Sequence, residues 1–323
     1  MTAPAFDARP TLDAQEPGTV FGMSPVVAAV ALMLIAGVMS SLLHIGVRYV
    51  SPHLPTIEIV FLRSLITILV TLPIVFRPGQ VSWRTNNLRL QMTRGLVGVC
   101  SMTTWYYALG QMPLADAGAL SFTTVIFVTI GGALWFREQV GIMRWSAVIA
   151  GLIGALIVLK PGSGVLSWAA IAAAASSAMW AVSLLMSKEL AKYDSVTTIT
   201  FYQPLMILPV AMIGTIPVWI MPSQEVWLYL LAMGCAAAVG NYGYIKALRI
   251  ADVSISMPAD YLRLLWMSSW GYFLFGEIPG LNTWFGAAMI IAAAFFITIR
   301  EQQLASARTR ARIAANTSKD LQR

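Results

Sequence analysis

Charge is what this sequence has least of. Asp, Glu, Lys and Arg make up 11% of the 323 residues, whereas hydrophobic residues make up 58% and the mean hydropathy is +0.73. A soluble globular chain has about 25% charged residues. Here the uncharged apolar runs are roughly 20 residues long, which matches the core of a bilayer, whereas a transmembrane β-barrel would show short alternating segments. The composition excludes a soluble globular protein and predicts an all-α membrane protein with several spans.

Cysteine and histidine are nearly absent as well. The two cysteines, Cys100 and Cys235, lie in apolar runs and imply neither a disulfide framework nor a metal site. With His44 and His53 alone, the chain has no H-E-x-x-H zinc motif, and it has neither a G-x-S-x-G nucleophile turn nor a Walker loop for ATP. No basic patch accompanies a soluble module. We expect no catalytic residue, cofactor, metal or nucleic-acid partner; an intramembrane enzyme or a channel is the less favoured class.

Ten apolar runs, joined by short connections, divide the chain into spans. Residues 1–24 are polar and predict a disordered cytoplasmic tail, and residues 302–323 predict a basic tail on the same side. The first run is too long for a signal-peptide core and lacks a cleavage site of small residues, so it is a retained span. The predicted spans are 25–47, 55–76, 93–111, 114–136, 143–160, 165–187, 197–219, 225–246, 253–275 and 281–299.

One stretch of the sequence occurs twice. Residues 108–162 align without a gap on residues 247–301 when the numbering is shifted by 139 positions. The sequence therefore predicts two units of five spans each, residues 25–162 and 163–301. Each copy has a turn whose glutamate is predicted to end one span and cap the next. The matched pairs include Gly132 with Gly271, Phe136 with Phe275, Glu138 with Glu277, Gly141 with Gly280 and Trp145 with Trp284.

The Lys and Arg residues predict the orientation of the spans. If the N-terminus is cytoplasmic, nearly all of them fall on the cytoplasmic side, and the outer loops hold Arg48 and Lys160. Both termini then face the cytoplasm. Because five is an odd number of spans, the second unit must cross the membrane in the opposite sense to the first. Inverted repeats of this kind are typical of secondary transporters that work by alternating access.

Polar residues within the predicted spans recur at steps of three or four and so share helical faces. Such residues are costly in lipid and usually line a bundle interior or a wet cavity. The four polar faces are Gly37, Ser41, His44 and Arg48; Arg94, Gly98, Ser101 and Trp105; Ser176, Trp180, Ser183 and Ser187; and Ser256, Asp260, Arg263 and Met267.

Asp260 and Arg263 are the most informative polar pair. Arg263 lies about ten residues into its predicted span, hence ~15 Å deep at roughly 1.5 Å per residue. In one interpretation Arg263 binds an anionic group of a substrate, and Asp260 titrates or pairs with a cation. In the other, the two residues neutralise each other at i,i+3 spacing, so that both tolerate lipid.

Arg63 and Glu58 share the second predicted span but lie roughly 140° apart around the helix, so each needs another partner. Arg63 is a candidate substrate anchor or, alternatively, half of an ion pair that packs two helices together. Glu58 is predicted to lie near the outer boundary in contact with solvent. Together with His44 and Asp260 it is a candidate for coupling transport to protons; His44 is otherwise a hydrogen-bonded packing residue.

Aromatic and amide side chains in the spans are candidates for lining a site for a flat or heterocyclic solute. The alternative for each of them is core packing or an interfacial belt. Pro204 favours a cavity-lining role for Tyr202 and Gln203, because a proline within a span frees backbone groups that a cavity must satisfy. With Arg63, Asp260 and Arg263, the predicted substrate-binding set comprises Trp105, Tyr106, Trp180, Tyr202, Gln203, Asn241 and Tyr261.

Small residues mark the fifth and tenth spans as close-packing helices. The fifth span contains Ala147, Gly151 and Ala155, the tenth contains residues 286–288, and neither has a charge in its core. These two spans are predicted to be a scaffold or the surface of a homodimer.

The spans and turns also contain several short motifs: Glu58 to Arg63, Arg94-Gly95, Trp105 to Leu109, Pro113 to Ala117, Phe136 to Glu138, Arg144-Trp145, Leu159 to Gly162 and Phe275 to Glu277. Together they resemble the drug/metabolite transporter superfamily, specifically its ten-helix EamA-type branch, over roughly residues 25–301. The resemblance implies an inverted-repeat transporter of the inner membrane. In such a protein, spans one to four and six to nine surround a central cavity, and spans five and ten brace it.

The resemblance also bears on the substrate. The first half is most similar to transporters of S-adenosylmethionine, and other members of the family move riboflavin, amino acids, metallophores or drugs. We therefore expect secondary transport of a small organic metabolite that is S-adenosylmethionine-like, amino-acid-like or otherwise heterocyclic, with export of a drug or metabolite as the alternative. Asp260 and Arg263 stand where members of the family often carry uncharged residues, which favours a more polar or anionic solute here.

Overall fold

The structure, a computed structural model, describes residues 25–75, 85–135, 142–159, 167–190, 193–194, 196–250, 262–293, 295–296, 299 and 303. Every regular element within these ranges is helical, as the sequence predicts. Several predictions fall on residues outside them, namely the 1–24 tail, nearly all of the 302–323 tail, Glu138, Asp260 and Tyr261.

Eleven α-helices can be followed in the described ranges, and a short 3-10 turn, Ile216–Val218, follows the eighth. They are α1 (Pro25–Val50), α2 (Thr56–Val75), α3 (Leu88–Gln111), α4 (Leu114–Ser121), α5 (Thr123–Trp135), α6 (Ile142–Leu159), α7 (Trp168–Leu190), α8 (Val196–Thr215), α9 (Gln224–Ile250), α10 (Arg263–Phe275) and α11 (Leu281–Ala293).

The apolar composition of these helices suits a bilayer. Large hydrophobic side chains such as Leu134, Ile149 and Phe273 are exposed on the outside of the bundle, where lipid rather than water is the expected solvent. Within the described residues, five stretches are long and apolar enough to cross a membrane: Val27–Val50, Leu114–Gly132, Trp168–Leu190, Phe201–Val218 and Gln224–Tyr244. The described apolar parts of α6 and α11 are shorter.

The fourth predicted span is interrupted. Helix α4 ends at Ser121, Phe122 caps it, and α5 begins at Thr123. The hydroxyl groups of Thr123 and Ser177 both donate to the Leu120 carbonyl, at 2.6 and 3.1 Å, so the carbonyl at the break has partners. In the second unit α10 begins at Arg263, which the shift of 139 matches to the start of α5. Arg263 is therefore the first residue of a helix, although the sequence predicts it well inside one.

The two predicted units interlock through equivalent helices. Helix α1 packs along α9, and α7 packs along α3. Because α1 and α7 are the first spans of their units and α9 and α3 are the third, the two contacts are equivalent. The same holds for α2 against α9 and α8 against α3, while α2 and α8 pack on each other. The repeat in the sequence is thus also a repeat in the helix contacts.

Two glycines in equivalent positions allow this close packing. A Cβ on Gly95 of α3 would lie 2.4 Å from the Met206 Cβ of α8, and a Cβ on Gly234 of α9 would lie 2.3 Å from the Ile66 Cγ2 of α2. Gly95 and Gly234 are 139 positions apart, the same shift as the longer repeat. In each unit a glycine receives a large side chain from the other unit.

The ends of the helices fix their relative directions. The end of α1 lies at the end of α3, because the Arg48 guanidinium donates to the Leu109 carbonyl at 3.1 Å. The end of α7 lies at the start of α3, because the Asn86 backbone N–H donates to Asp194 at 2.8 Å. Helices α1 and α7, the first of each unit, therefore end at opposite ends of α3.

The small residues of α6 and α11 pack on each other within the chain. A Cβ on Gly286 would lie 2.6 Å from the Gly154 carbonyl oxygen, and Ala293 lies beside Gly151. The scaffold interpretation of the fifth and tenth spans accounts for these faces. A homodimer through the two spans stays a prediction and would have to use their other, lipid-facing sides.

Filling this seam should destabilise the protein. Gly286→Val would drive a branched side chain into the backbone of α6, and overpacking of this kind costs about 1–3 kcal/mol. We expect a lower thermal unfolding midpoint in detergent. Ala288→Val is the matched control, because Ala288 is an exposed residue of the same helix. Equal midpoints for the two variants would contradict the close approach of α6 and α11.

Candidate functional site

A group of polar and aromatic residues, the central cluster, lies along α1 and α3, where α2 packs on α3 and α10 packs on α1. Its members were all singled out from the sequence. His44 is 8% exposed and Tyr106 is 2% exposed. Arg63 of α2 donates to Met102, and Trp105 donates to His44, so Arg63 and His44 both reach α3 within one turn of each other. Arg263 lies against Gly37 of α1. We define the central cluster as His44, Arg63, Trp105, Tyr106 and Arg263.

Arg63 is on α2, and its hydrogen-bond acceptor among the described residues is a weak one. One terminal nitrogen of its guanidinium donates to the Met102 sulfur at 3.8 Å, and its buried Nε has no hydrogen-bond partner among the described residues. A thioether sulfur is a weak acceptor, whereas a guanidinium carries five donors. The side chain therefore has donor capacity that the described part of the protein does not use.

His44 orients the indole of Trp105. The Trp105 Nε1–H donates to the His44 Nε2 at 3.2 Å, and the two rings meet edge-on at 5.5 Å with planes 74° apart. Because Nε2 accepts this bond, the neutral imidazole carries its proton on Nδ1. That Nδ1 is buried and has no partner among the described residues. His44 thus presents a second unused donor near Arg63.

Arg263 connects the start of α10 to the break between α4 and α5. Its guanidinium donates to the Ser121 hydroxyl at 3.3 Å and lies 5.2 Å from the centre of the Phe122 ring, in a cation–π arrangement. Gly37 of α1 permits this approach, since its Cβ would lie 3.9 Å from both the Arg263 Cβ and the Trp266 ring. The fourth helix of the first unit and α10 of the second unit thus meet at an arginine.

The described carboxylates lie away from this cluster, at helix ends or in connections: Glu58, Asp116, Glu189, Asp194, Glu225 and Glu277. Two guanidiniums and a histidine therefore share the middle of the bundle with aromatic side chains. Asp260, the predicted partner of Arg263, is outside the described residues, so the i,i+3 pairing stays a prediction.

Two predictions about glutamates need correction. Glu58 is completely buried rather than solvated, because the segment after α8 covers the start of α2, and the Ile220 backbone N–H donates to its carboxylate at 3.1 Å. Glu277 does not cap the next helix. Its carboxylate accepts from the backbone N–H of Leu114 at 2.8 Å, so it caps α4 of the other unit, and it pairs with Arg48 at 3.3 Å.

The remaining predicted site residues are spread over other surfaces. The carbonyl oxygen of the Gln203 side chain accepts from Arg94 at 2.8 Å, between α3 and α8. Tyr202 and Trp180 are partly buried on α8 and α7, while Asn241 is exposed on α9, on a different side from Gly240 and Gly243, which face α1. Met102, Ser121 and Phe122 contact the cluster arginines but were missed, because a thioether, a hydroxyl and a phenyl ring in apolar runs carry no distinctive signal.

The two units are joined by hydrogen bonds at both ends of the bundle. At one end, the Glu277 network consists of Glu277, Arg48, Leu109 and Leu114, whose bonds are given above. At the other end, the carboxylate of Asp194, in the connection after α7, binds residues at the start of α3; we call this the Asp194 network. Asp194 accepts from the hydroxyl of Thr85, the backbone and side-chain amides of Asn86 and the side-chain amide of Gln91.

The Asp194 network predicts acid sensitivity. Burial alone raises the pKa of the Asp194 carboxyl, but the bonds from Asn86, Thr85 and Gln91 outweigh it and hold the pKa below its usual value. A carboxyl with a lowered folded-state pKa stabilises the fold above its unfolded pKa of about 3.9 and loses that contribution as the pH falls through the folded value. We expect the thermal midpoint of the wild type to fall steeply below about pH 4.

Asp194→Asn tests this origin of the acid sensitivity. Hydrogen bonds to a charged group contribute about 1.5–3 kcal/mol, so the variant should unfold earlier at neutral pH and change less on acidification. Thr85→Val removes a single donor and should give an intermediate curve. If Asp194→Asn had the same acid dependence as the wild type, another group would have to be responsible.

Comparison with known proteins gives consistent matches along the chain. The EamA-like transporter family matches residues 27–160 and 167–299. A riboflavin transporter of Vibrio cholerae is 34% identical over 271 residues, which cover 82% of this chain and 91% of that protein. An S-adenosylmethionine uptake transporter of Rickettsia felis is 26% identical over 84% of this chain and 93% of that protein. A pseudopaline exporter of Pseudomonas aeruginosa is 26% identical, covering 82% of this chain and 93% of that protein.

A solved crystal structure is similar in fold. It is 16% identical to this chain, and the two superpose with a TM-score of 0.55 over 87% of this chain and 97% of the other. At this identity the likeness concerns the fold alone.

Proposed function

Because this chain belongs to the EamA-like transporter family, we propose that it is a secondary transporter of riboflavin or a closely related flat heterocycle. It moves this solute across the inner membrane by alternating access. The observation that carries the proposal is the central cluster, in which unused donors on Arg63 and His44 lie beside aromatic rings. A solute that fits must offer hydrogen-bond acceptors on a flat ring.

The charge of the cluster favours riboflavin over S-adenosylmethionine, although relatives with both substrates match the chain. Riboflavin is uncharged at neutral pH, and its tricyclic ring has carbonyl and imine acceptors along one edge. S-adenosylmethionine carries a sulfonium, an ammonium and one carboxylate group and is therefore a net cation. Two guanidiniums in a medium of low dielectric repel such a cation, since like charges a few ångströms apart interact far more strongly there than in water.

The helix contacts support two inverted units of five spans. Helices α1 and α7 end at opposite ends of α3, which is expected if the second unit crosses the membrane in the opposite sense. The hydrogen-bond networks at the two ends support alternating access. The Glu277 network joins the units at one end and the Asp194 network at the other, so each opening would break one network and keep the other.

The excess of Lys and Arg in predicted cytoplasmic segments supports a cytoplasmic position for both termini. In that orientation the Glu277 network closes the outer side and the Asp194 network closes the cytoplasmic side. Tagging either terminus with a reporter that works on only one side of the membrane tests this arrangement. Termini on different sides would be incompatible with ten spans.

Counterflow in proteoliposomes tests the substrate. Vesicles that contain the purified protein and are loaded with unlabelled riboflavin should accumulate labelled riboflavin transiently, whichever direction operates in the cell. S-adenosylmethionine added outside should compete weakly. Competition by S-adenosylmethionine at least as strong as by riboflavin would reject the flavin proposal, and the appearance of an altered product would favour an enzyme.

Proton coupling through Asp260 is a separate proposal about the mechanism. If Asp260 exchanges protons during the cycle, Asp260→Asn should remove the effect of a pH gradient on net transport while riboflavin counterflow persists. Asp252→Asn, in the same part of the chain, is the control. An unchanged response to the pH gradient in Asp260→Asn would exclude this residue as the coupling group.

A further inference from the structure

We propose that the Arg63 guanidinium and the His44 Nδ1 form a subsite that binds the pyrimidinedione edge of the flavin ring. This inference rests on the proposed function and assigns one end of the solute to one group of residues. The subsite also assigns a role to Trp105, whose indole is held by His44 so that the ring can lie along the flavin.

The donors come first in the argument. Arg63 has one hydrogen bond to a thioether and a buried Nε without a partner in the described part of the chain. His44 is 8% exposed, and its Nδ1 is likewise without a described partner. A buried donor that stays unsatisfied loses the hydrogen bonds it had with water and so destabilises the empty site. Both donors lie against α3, where their bonded partners Met102 and Trp105 are three residues apart, and they are therefore expected to meet acceptors when the solute binds.

The acceptors follow from the chemistry of the flavin. Its pyrimidinedione end carries two carbonyl oxygens and two ring nitrogens with free lone pairs, whereas its dimethylbenzene end has no acceptor. A guanidinium binds two adjacent acceptors in parallel, as it binds a carboxylate. The C2 carbonyl oxygen and the adjacent N1 provide such a pair, and the C4 carbonyl oxygen remains for the imidazole N–H.

The position of Trp105 follows from its bond to His44. Because the indole N–H is used by the His44 Nε2, the ring is fixed and its polar atom is turned away from a stacked solute. The same imidazole then contacts Trp105 through one nitrogen and the solute through the other. On the same helix, Met102 accepts a hydrogen bond from Arg63 at 3.8 Å.

Flavin analogues altered at one end test the assignment. In 2-thioriboflavin a sulfur replaces one carbonyl oxygen of the pyrimidinedione edge and accepts hydrogen bonds poorly. Roseoflavin differs from riboflavin at the benzene end alone. The wild type should prefer riboflavin to 2-thioriboflavin by about tenfold or more and should hardly distinguish riboflavin from roseoflavin.

Substitution of Arg63 should remove this preference selectively. In Arg63→Met the ratio of riboflavin to 2-thioriboflavin transport should fall to about one, while the ratio of riboflavin to roseoflavin stays unchanged. Arg63→Lys keeps the charge but not the paired donors and should retain part of the preference. These ratios are measured within one preparation of one variant, so they do not depend on expression or on the folded fraction.

Two histidine variants separate the two ring nitrogens. In His44→Asn the side-chain amide can occupy the place of Nδ1 and donate to the solute, so the dissociation constant of riboflavin should stay close to that of the wild type. In His44→Gln the side-chain carbonyl can occupy the place of Nε2 and hold Trp105 without donating to the solute, so riboflavin should bind more weakly. The reverse pattern would overturn the role assigned to Nδ1.

The outcomes separate this inference from the proposed function. If the wild type transports riboflavin and 2-thioriboflavin equally well, or if Arg63→Met lowers both rates and keeps their ratio, the subsite is wrong while flavin transport stands. If the wild type transports no flavin, both proposals fall. If roseoflavin rather than 2-thioriboflavin is discriminated in an Arg63-dependent way, the ring binds in the opposite orientation and the subsite is again wrong.

Discussion

Cross-linking the two units across the Glu277 network will stop transport. Arg48 on α1 belongs to the first unit and Glu277 to the second, and their side chains are 3.3 Å apart with 24% and 13% of their surfaces exposed. If the units must separate at this end during the cycle, then Arg48→Cys and Glu277→Cys, joined by a short bifunctional thiol reagent, hold it closed. Riboflavin counterflow should fall to the background of empty liposomes and recover when a cleavable linker is reduced.

The cross-linking experiment needs a background without reactive cysteines and a matched pair within one unit. Cys100 and Cys235 are exposed and should first be replaced by serine. The matched pair is Tyr49→Cys with His53→Cys, since their rings stack at 5.9 Å at the same end of the bundle and both residues belong to the first unit. Joining them should leave transport intact. Full activity of the cross-linked Arg48/Glu277 pair would exclude opening at this end.

Trp105→Ala should weaken riboflavin binding by about tenfold to hundredfold, because stacking of a heterocycle on an aromatic side chain contributes about 1–3 kcal/mol. The fixed orientation of the indole relative to His44 adds to this effect, since a rigid platform loses little entropy on binding. Quenching of flavin fluorescence by the purified protein gives the dissociation constant directly. Trp105→Phe keeps a ring and should fall between the wild type and the alanine variant.

Trp168→Ala is the matched control for loss of a tryptophan. Trp168 stands at the start of α7 and is 77% exposed, so its removal should alter neither flavin quenching nor counterflow. A dissociation constant for Trp105→Ala equal to that of Trp168→Ala would remove Trp105 from the solute site. The bond from its N–H to His44 would then be a packing contact.

The repeat and the polar faces were accessible from the sequence because they depend on local spacing. On α1 the predicted face of Gly37, His44 and Arg48 turns toward α10 and the end of α3, where it contacts Arg263, Trp105 and Glu277. A helix repeats every 3.6 residues, so residues at such steps face one way whatever the rest of the fold does. Spacing therefore identified which sides of the helices are polar.

Contacts between distant segments could not be obtained in this way. The cap that Glu277 provides for α4 joins residues 163 positions apart, and the burial of Glu58 depends on the course of the chain after α8. Phe122, at the break, is neither a proline nor a glycine, so the sequence does not indicate that the helix is interrupted there. The Leu120 carbonyl at the break accepts a hydrogen bond from Ser177 of α7. Each of these features depends on tertiary packing, which the spacing of residues in the local sequence does not reveal.

The reciprocal contacts of the two units bear on how such a chain could arise. Because α1 meets α9 in the same way as α7 meets α3, a polypeptide with only one of the units could satisfy these surfaces with a second copy of itself. If the two units cross the bilayer in opposite directions, as we propose, a half-length ancestor that entered the bilayer in both directions would have formed the interior as a dimer. Fusion of two gene copies would then have fixed the orientation of each half. The halves could afterwards diverge, with an arginine on α2 in the first and on α10 in the second.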